Sequence, residues 1–278
     1  MTRVSGVGYR VCKTHPRHPI PDTRFMSFIE LKHISKRFGS LVVLRDLNLD
    51  IERGHCIVVI GASGTGKSVL LKHIVGLLKP DKGEVWFDGK RIDTLPERQL
   101  VDVRTRFGFL FQMGALFDSL TVAENLAFPL VEHTRKPPDE VQRIVAQKLR
   151  LVGLPEAGAK MPGELSGGQK KRVALARAIA LDPEVILYDE PTTGLDPVRS
   201  DVINELIIKL QKELKVTSIV VTHDMNSAFK VADRIVMLHE GHIIFDGTPE
   251  EIQKSENPDV KRFVLGEAGE AELATLKL

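Results

Sequence analysis

Net charge is nearly absent from this sequence: 39 Lys and Arg face 37 Asp and Glu, leaving +2 at neutral pH. No global field therefore recruits nucleic acid or an anionic membrane surface. Nowhere does an apolar stretch approach the roughly 18 residues of a membrane-crossing helix, so a membrane role has to come through a partner. Cysteine is scarce too. Cys12 and Cys56 are the two present, and Cys56 falls in the apolar run "CIVVIG", as a small buried side chain and not half of a disulfide. That usage favours a reducing, cytosolic compartment. Internal repeats and low-complexity tracts are missing, which excludes repeat architectures and compositional linkers.

What remains is a chain of 278 residues, 42% hydrophobic and 27% charged, long enough to bury a substantial core. Residues 1–25 stand apart, with five Lys or Arg, two His, three Pro and one acid. They lack the apolar core of a secretory signal, and the Pro spacing forbids the helix of a transit peptide. The composition predicts a disordered leader upstream of a start at Met26.

From Phe28 the pattern becomes regular. "SFIELKHISKRFGSLVVLRDLNLDIERG" alternates apolar and polar positions, as in a small antiparallel sheet. "HCIVVIG" reads as a buried strand and "KSVLLKHIVGLL" as the helix after it. "GEVWFDGKRI" predicts a hairpin around Asp88-Gly89. "RFGFLFQ", "EVILYDE" and "TSIVVTHD" are further buried strands, "SDVINELIIKLQKEL" is an amphipathic helix, and "RIVMLHEGHIIFDG" closes as a hairpin. Residues from about 116 to 180 carry helical segments, with Val141, Ile144, Val145, Leu149 and Val152 along one face. The alternation predicts an α/β fold over residues 28–250: a mostly parallel core sheet, an antiparallel β subdomain and a helical insertion. Residues 251–278 predict a helix followed by a mobile tail.

The strongest motif is "GASGTGKS", from Gly61 through Ala62, Ser63, Gly64, Thr65, Gly66 and Lys67 to Ser68, between a predicted strand and a helix that continues at Val69. It is a phosphate loop. Gly64 and Gly66 let backbone N–H groups wrap phosphate oxygens, and the helix N-terminus adds its dipole. Lys67 offers an ammonium to the β- and γ-phosphates, and Ser68 a hydroxyl to Mg²⁺. "VILYDE" ends a buried strand with two acids. Asp189 would hold Mg²⁺, and Glu190 would polarise the attacking water. A second phosphate-binding turn, "LSGGQ" at 165–169, begins a helical run 97 positions after Ser68.

Together these residues resemble the ATP-binding cassette (ABC) ATPases, and the likeness covers nearly all of 28–250. "LSGGQ" is similar to that family's signature, and "ALARAIALDPEVILYDEPTTGLD" to its run from signature helix to D-loop. The resemblance implies roles for Gln112 (the Q-loop residue, also near Mg²⁺), Asp196 (D-loop acid), His223 (switch histidine) and Phe38 (stacked on adenine). It also implies a head-to-tail pair. Ser166, Gly167, Gly168 and Gln169 of one copy would then face the ATP held by Lys67 of a second copy.

Among family members, chromosome-structuring ATPases insert long coiled coils between phosphate loop and signature, and no heptad run occurs here. Ribosome-associated members carry two cassettes in one chain, and this chain has one, with no basic arm for RNA. Transport is the expected role, with no nucleic acid partner. "FQMGALFDSLTVAENLAFPLVEHT" resembles the permease-facing groove of the Mla-type cassettes, which work with MCE-domain proteins, Met113-Gly114-Ala115 being the distinctive part. That likeness implies phospholipid as cargo, an integral membrane permease, an MCE-domain protein and, in some relatives, a STAS-domain subunit; the alternative is an ABC importer or exporter for another substrate, an amino acid, a metal ion or a drug. It places the chain on the cytoplasmic face of an inner membrane, with Leu116 and Phe117 as apolar contacts to the permease.

Overall fold

The computed structural model describes residues 27–268, so the leader and the last ten residues lie outside the described part. Strands β1 (Ile29–Phe38) and β2 (Leu41–Ile51) pair antiparallel, and β1 pairs on its other side with β4 (Lys82–Phe87). β4 turns at Asp88-Gly89 into the short β5 (Lys90–Arg91), completing a four-stranded sheet in the order β2-β1-β4-β5.

The core sheet has six strands in the order β10-β9-β3-β8-β7-β6. β3 (Cys56–Ile60), β6 (Phe107–Leu110), β7 (Val185–Asp189), β8 (Thr217–Thr222) and β9 (Arg234–His239) run parallel, and β10 (His242–Gly247) returns antiparallel on β9. The central strands read as continuous apolar runs because both faces are covered. Alternate residues serve opposite sides. Val58, Ile60, Ile186 and Val220 pack toward the helices, while Ile57, Val59, Leu187 and Ile219 pack toward the antiparallel sheet.

Helices α1 (Lys67–Ile74), α2 (Glu97–Arg104), α3 (Val122–His133), α4 (Pro138–Leu151), α5 (Gly167–Ala178), α6 (Pro197–Leu214) and α7 (Met225–Val231) fill the connections. The helical face expected on α4 is buried, through Val141, Val145 and Leu149. α1 is shorter than its apolar spacing predicts. Gly76 takes a left-handed φ of 68° and its N–H donates to the His73 carbonyl, which ends the helix before Leu77.

The chain after Gly247 forms two short helices in place of the single one expected, α8 (Pro249–Gln253) and α9 (Pro258–Leu265). The Asn257 side chain caps α9 by accepting from the Asp259 and Val260 amides, and Pro258 fits its first turn. An ionic cluster fastens the antiparallel sheet to the core. Arg53 pairs with Asp88 (3.0 Å) and Glu184 (2.5 Å), and Arg106 pairs with the same two acids. The Arg106 guanidinium beside it holds the Glu184 carboxyl below its usual range.

Candidate nucleotide site

Every polar residue of the site leaves the C-terminal end of a parallel strand, where an open α/β sheet places its ligands. β3 runs into the phosphate loop, β6 into Gln112, β7 into Asp189 and Glu190, and β8 into His223. Two glycines shape the loop. Gly61 has φ 152°, and a Cβ there would stand 2.3 Å from the Leu238 carbonyl oxygen. Gly66 has φ 100° at the start of α1, where no side chain caps the helix.

Lys67 is 7% exposed, and its ammonium donates to the Gly61 and Ala62 carbonyls at 2.8 and 3.0 Å. It stands 3.9 Å from Glu190 Oε1. Burial lowers its pKa, against the pull of Glu190 and Asp189. The Ser68 hydroxyl donates to Asp189 Oδ1 at 2.8 Å. Burial raises the Asp189 pKa, which the Ser68 hydrogen bond opposes.

Glu190 carries the strain of the site. It is 9% exposed and has a left-handed φ of 49°, a conformation that costs a non-glycine residue ~1–3 kcal/mol and persists only when its surroundings enforce it. Its N–H donates to the Val221 carbonyl at 2.9 Å. Its carboxylate takes the Thr193 hydroxyl at 3.2 Å and lies 2.9 Å from His223 Nδ1.

These groups meet in a cavity of about 330 Å³ lined by Phe38, Ser63, Gly64, Lys67, Gln112 and Glu190, with Gly66, Ser68 and Val69 in the same wall. Phe38, 48% exposed, presents its ring to it, with the Lys36 ammonium 5.6 Å from the ring centroid. Ala62 and Thr65 line an adjoining depression with Leu41 and His239. His223 reaches the site through Glu190, and also lines a neighbouring cavity of about 450 Å³ with Thr193, Asn204 and Lys230.

The signature turn does not line the nucleotide cavity of its own chain. Ser166 caps α5, accepting from the Gln169 amide, and Gln169 Oε1 accepts the Ser166 N–H at 2.9 Å. Asp196 caps α6, accepting the Arg199 N–H at 2.9 Å. The turn abuts that segment: a Cβ on Gly167 would meet Leu195 at 3.7 Å, and one on Gly168 would meet Arg199 at 3.5 Å.

Two side chains differ from expectation. Leu116, expected as an exposed groove contact, is partly buried and packs on the core, whereas Met113 (88%), Phe117 (42%) and Phe128 (46%) are exposed. Lys171, in "KKRVALARA", reads in the sequence as one more basic residue on a helix. It is buried, and donates to the carbonyls of Gln112 and Glu190. The available signal was its place three and four residues before the buried Ala174 and Leu175, on the apolar side of α5.

A parallel sheet with a phosphate loop, two acids at the end of a neighbouring strand and a signature helix defines an ATP-binding cassette. The sequence profile of the family described as "ABC transporter" matches residues 44–193, and the chain belongs to that family: it is the ATPase subunit of an ABC transport system. It is 45% identical over 242 residues to the "Intermembrane phospholipid transport system ATP-binding protein MlaF" of Haemophilus influenzae, covering 87% of this chain and 92% of that protein. To the "Probable ribonucleotide transport ATP-binding protein mkl" of Mycobacterium leprae it is 46% identical over 238 residues, covering 86% of this chain and 69% of that one. Among solved structures, the ATP-binding cassette MJ0796 in a dimeric post-hydrolysis state bound to ADP and Pi superposes with a TM-score of 0.74. The two are 35% identical, over 80% of this chain and 98% of that one. Among the described residues no helix is long and apolar enough to cross a membrane.

Proposed function

We propose that the chain binds ATP with Mg²⁺ in the Phe38–Glu190 cavity and hydrolyses it to drive movement of phospholipid between membranes. The convergence of Lys67, Ser68 and Glu190 on one strand-end cavity, with Asp189 joined to Ser68 and His223 to Glu190, carries the hydrolytic part. Phe38 stacks on the base, and the amides of Gly61 to Val69 with the Lys67 ammonium hold the β- and γ-phosphates.

Ser68 and Asp189 fit a magnesium ion. They are two adjacent oxygen donors, and the described residues hold no cluster of three His, Cys, Asp or Glu able to cage a metal alone. Mg²⁺ is commonly held by one or two protein oxygens together with substrate phosphates and water, and Gln112 lies in the same wall. The ion supplies charge neutralisation on the phosphate oxygens. Glu190 takes the proton of the attacking water as its oxygen bonds to the γ-phosphorus and the bond to ADP breaks. His223 orients the Glu190 carboxylate. Glu190→Gln is expected to keep nucleotide binding while turnover falls about 10²–10⁴-fold. Normal turnover by that variant would remove Glu190 from the role.

The signature turn acts on a second copy: Ser166, Gly167, Gly168 and Gln169 meet the ATP held by the partner copy, with Asp196 beside them. The cap geometry of Ser166 and the dimeric relative MJ0796 support this reading. The isolated chain is expected to be monomeric without ATP and to dimerise with it, and sedimentation velocity checks both.

Phospholipid as cargo is supported by the name of the Haemophilus influenzae relative and by Met113-Gly114-Ala115 in the loop after β6. An integral membrane permease and an MCE-domain protein then complete the assembly, with this chain held by the permease at the cytoplasmic face of the inner membrane and a STAS-domain subunit in some relatives. The mycobacterial name favours a second reading, ribonucleotide as cargo. Mass spectrometry of small molecules retained by the purified membrane complex separates the two. Bound phospholipid supports the first reading, and bound ribonucleotide without phospholipid overturns it.

A further inference from the structure

Lys171 of α5 is 6% exposed, and no carboxylate among the described residues lies within ion-pair distance of its ammonium. Its hydrogen-bond acceptors are main-chain: the carbonyl of Gln112 and, at 3.2 Å, the carbonyl of Glu190. Further along the same helix, Arg177 donates to the carbonyls of Ala115 (2.8 Å) and Gly114 (3.0 Å). Three of these four acceptors belong to left-handed residues, Gly114 (φ 78°), Ala115 (φ 51°) and Glu190 (φ 49°).

A buried ammonium is costly unless its surroundings answer it, and charged donors make the stronger hydrogen bonds. Here the answer comes from carbonyls of two loops that have no covalent reason to stay in register. One loop follows β6 and exposes Met113 and Phe117; the other follows β7 and carries Glu190. Lys171 is the side chain through which α5 reaches both. Its bond to Glu190 falls on the carbonyl of a strained residue, where an external donor helps enforce the conformation.

We propose that Lys171 is a positioning residue for hydrolysis: its ammonium ties the signature helix, the Gln112 loop and Glu190 together, so that the carboxylate faces the cavity only while all three are in place. The proposal rests on the reading of Glu190 as the base. It makes no claim that Lys171 touches nucleotide, so it predicts a split between turnover and binding. A displacement of about 1 Å in a reacting group costs up to about 10²-fold.

The test uses the full chain with Lys171→Met, which keeps the stem and loses the donor, beside Lys171→Arg, which keeps donor and charge. Lys171→Met is expected to bind a fluorescent ATP analogue within about twofold of wild type while kcat falls about 10–100-fold. Its amide exchange should quicken over residues 112–118 and 190–195 at an unchanged melting temperature. Lys171→Arg is expected to recover kcat to within about threefold of wild type. A folded Lys171→Met with kcat within about twofold of wild type overturns the proposal, as does a loss that follows melting temperature and affinity together. If Lys171→Met does not fold, Lys171→Gln, whose amide reaches one carbonyl, serves instead: intermediate kcat supports the tie and wild-type kcat sinks it. Glu190→Gln is assayed alongside. Full activity there refutes the base assignment itself, whereas an inactive Glu190→Gln beside an active Lys171→Met refutes only the tie.

Discussion

The chain has two Gly-rich turns that open helices, and it finishes them differently. Before α1, Gly66 stands in the left-handed region with no side-chain cap, and Lys67 folds back on the loop carbonyls. Before α5, Ser166 and Gln169 form a complete capping box within the chain. An uncapped helix start leaves amides for a ligand, while a capped one has already satisfied some of its own. On the proposed function, similar composition serves two kinds of phosphate contact. One is built into the cavity, and the other is presented outward by a helix that is stable without it.

Breaking the first turn should cost most. Lys67→Ala is expected to weaken nucleotide binding and to lower turnover at least about 10²–10³-fold, as loss of a preorganised charged donor does; equilibrium binding and steady-state ATPase assays check the two parts. Ser166→Ala should leave the affinity of the single chain for nucleotide unchanged and lower turnover about 10–100-fold, the worth of a hydrogen bond to a charged oxygen. If single-chain affinity falls as well, the two turns are not separate.

Stability sharpens the contrast. Gly66→Ala places a Cβ 2.8 Å from the Val43 side chain at a φ of 100°, and should cost ~1–3 kcal/mol in denaturant unfolding. Gly168→Ala sits in a helix with ordinary contact to Arg199 at 3.5 Å, and should stabilise by up to ~1 kcal/mol while turnover falls. Smallest of all, Ser166→Gly should lose only a few tenths of a kcal/mol, because Gly is tolerated at a helix cap, yet its turnover should fall as that of Ser166→Ala does.

Much of this was legible before any coordinates. A mostly parallel sheet covered on both faces follows from its continuous apolar runs, and the phosphate loop, the acid pair and the signature each announce themselves by residue type and spacing; the order of the strands does not. The helices expected from the sequence run past the end of α1 at Gly76 and past the break between α8 and α9 at Asn257-Pro258, although glycine after a helix and proline in a first turn are local signals. Other features need the third dimension. Nothing along the chain says that Leu116 turns into the core while Phe117 meets Phe128 at 4.9 Å between ring centroids. For the same reason, testing the proposed permease-facing surface calls for Met113→Asp and Phe117→Asp, which should leave the free chain folded and nucleotide-binding but detach it from the proposed membrane partner. Lys171 is the sharpest case: a basic residue among basic residues, whose meaning lies in two carbonyls 59 and 19 positions away.

One feature of the phosphate loop has a kinetic side. Gly61 is wedged against the backbone of β9, so tightly that even a methyl group would strike the Leu238 carbonyl. A loop whose first residue lies this close to the backbone of an interior strand is expected not to swing open and shut. Nucleotide capture by a single chain should then be governed by diffusional encounter and not by loop gating. The association rate should fall in proportion to solvent viscosity and show a single phase in stopped flow, with no slow step that saturates as nucleotide is raised.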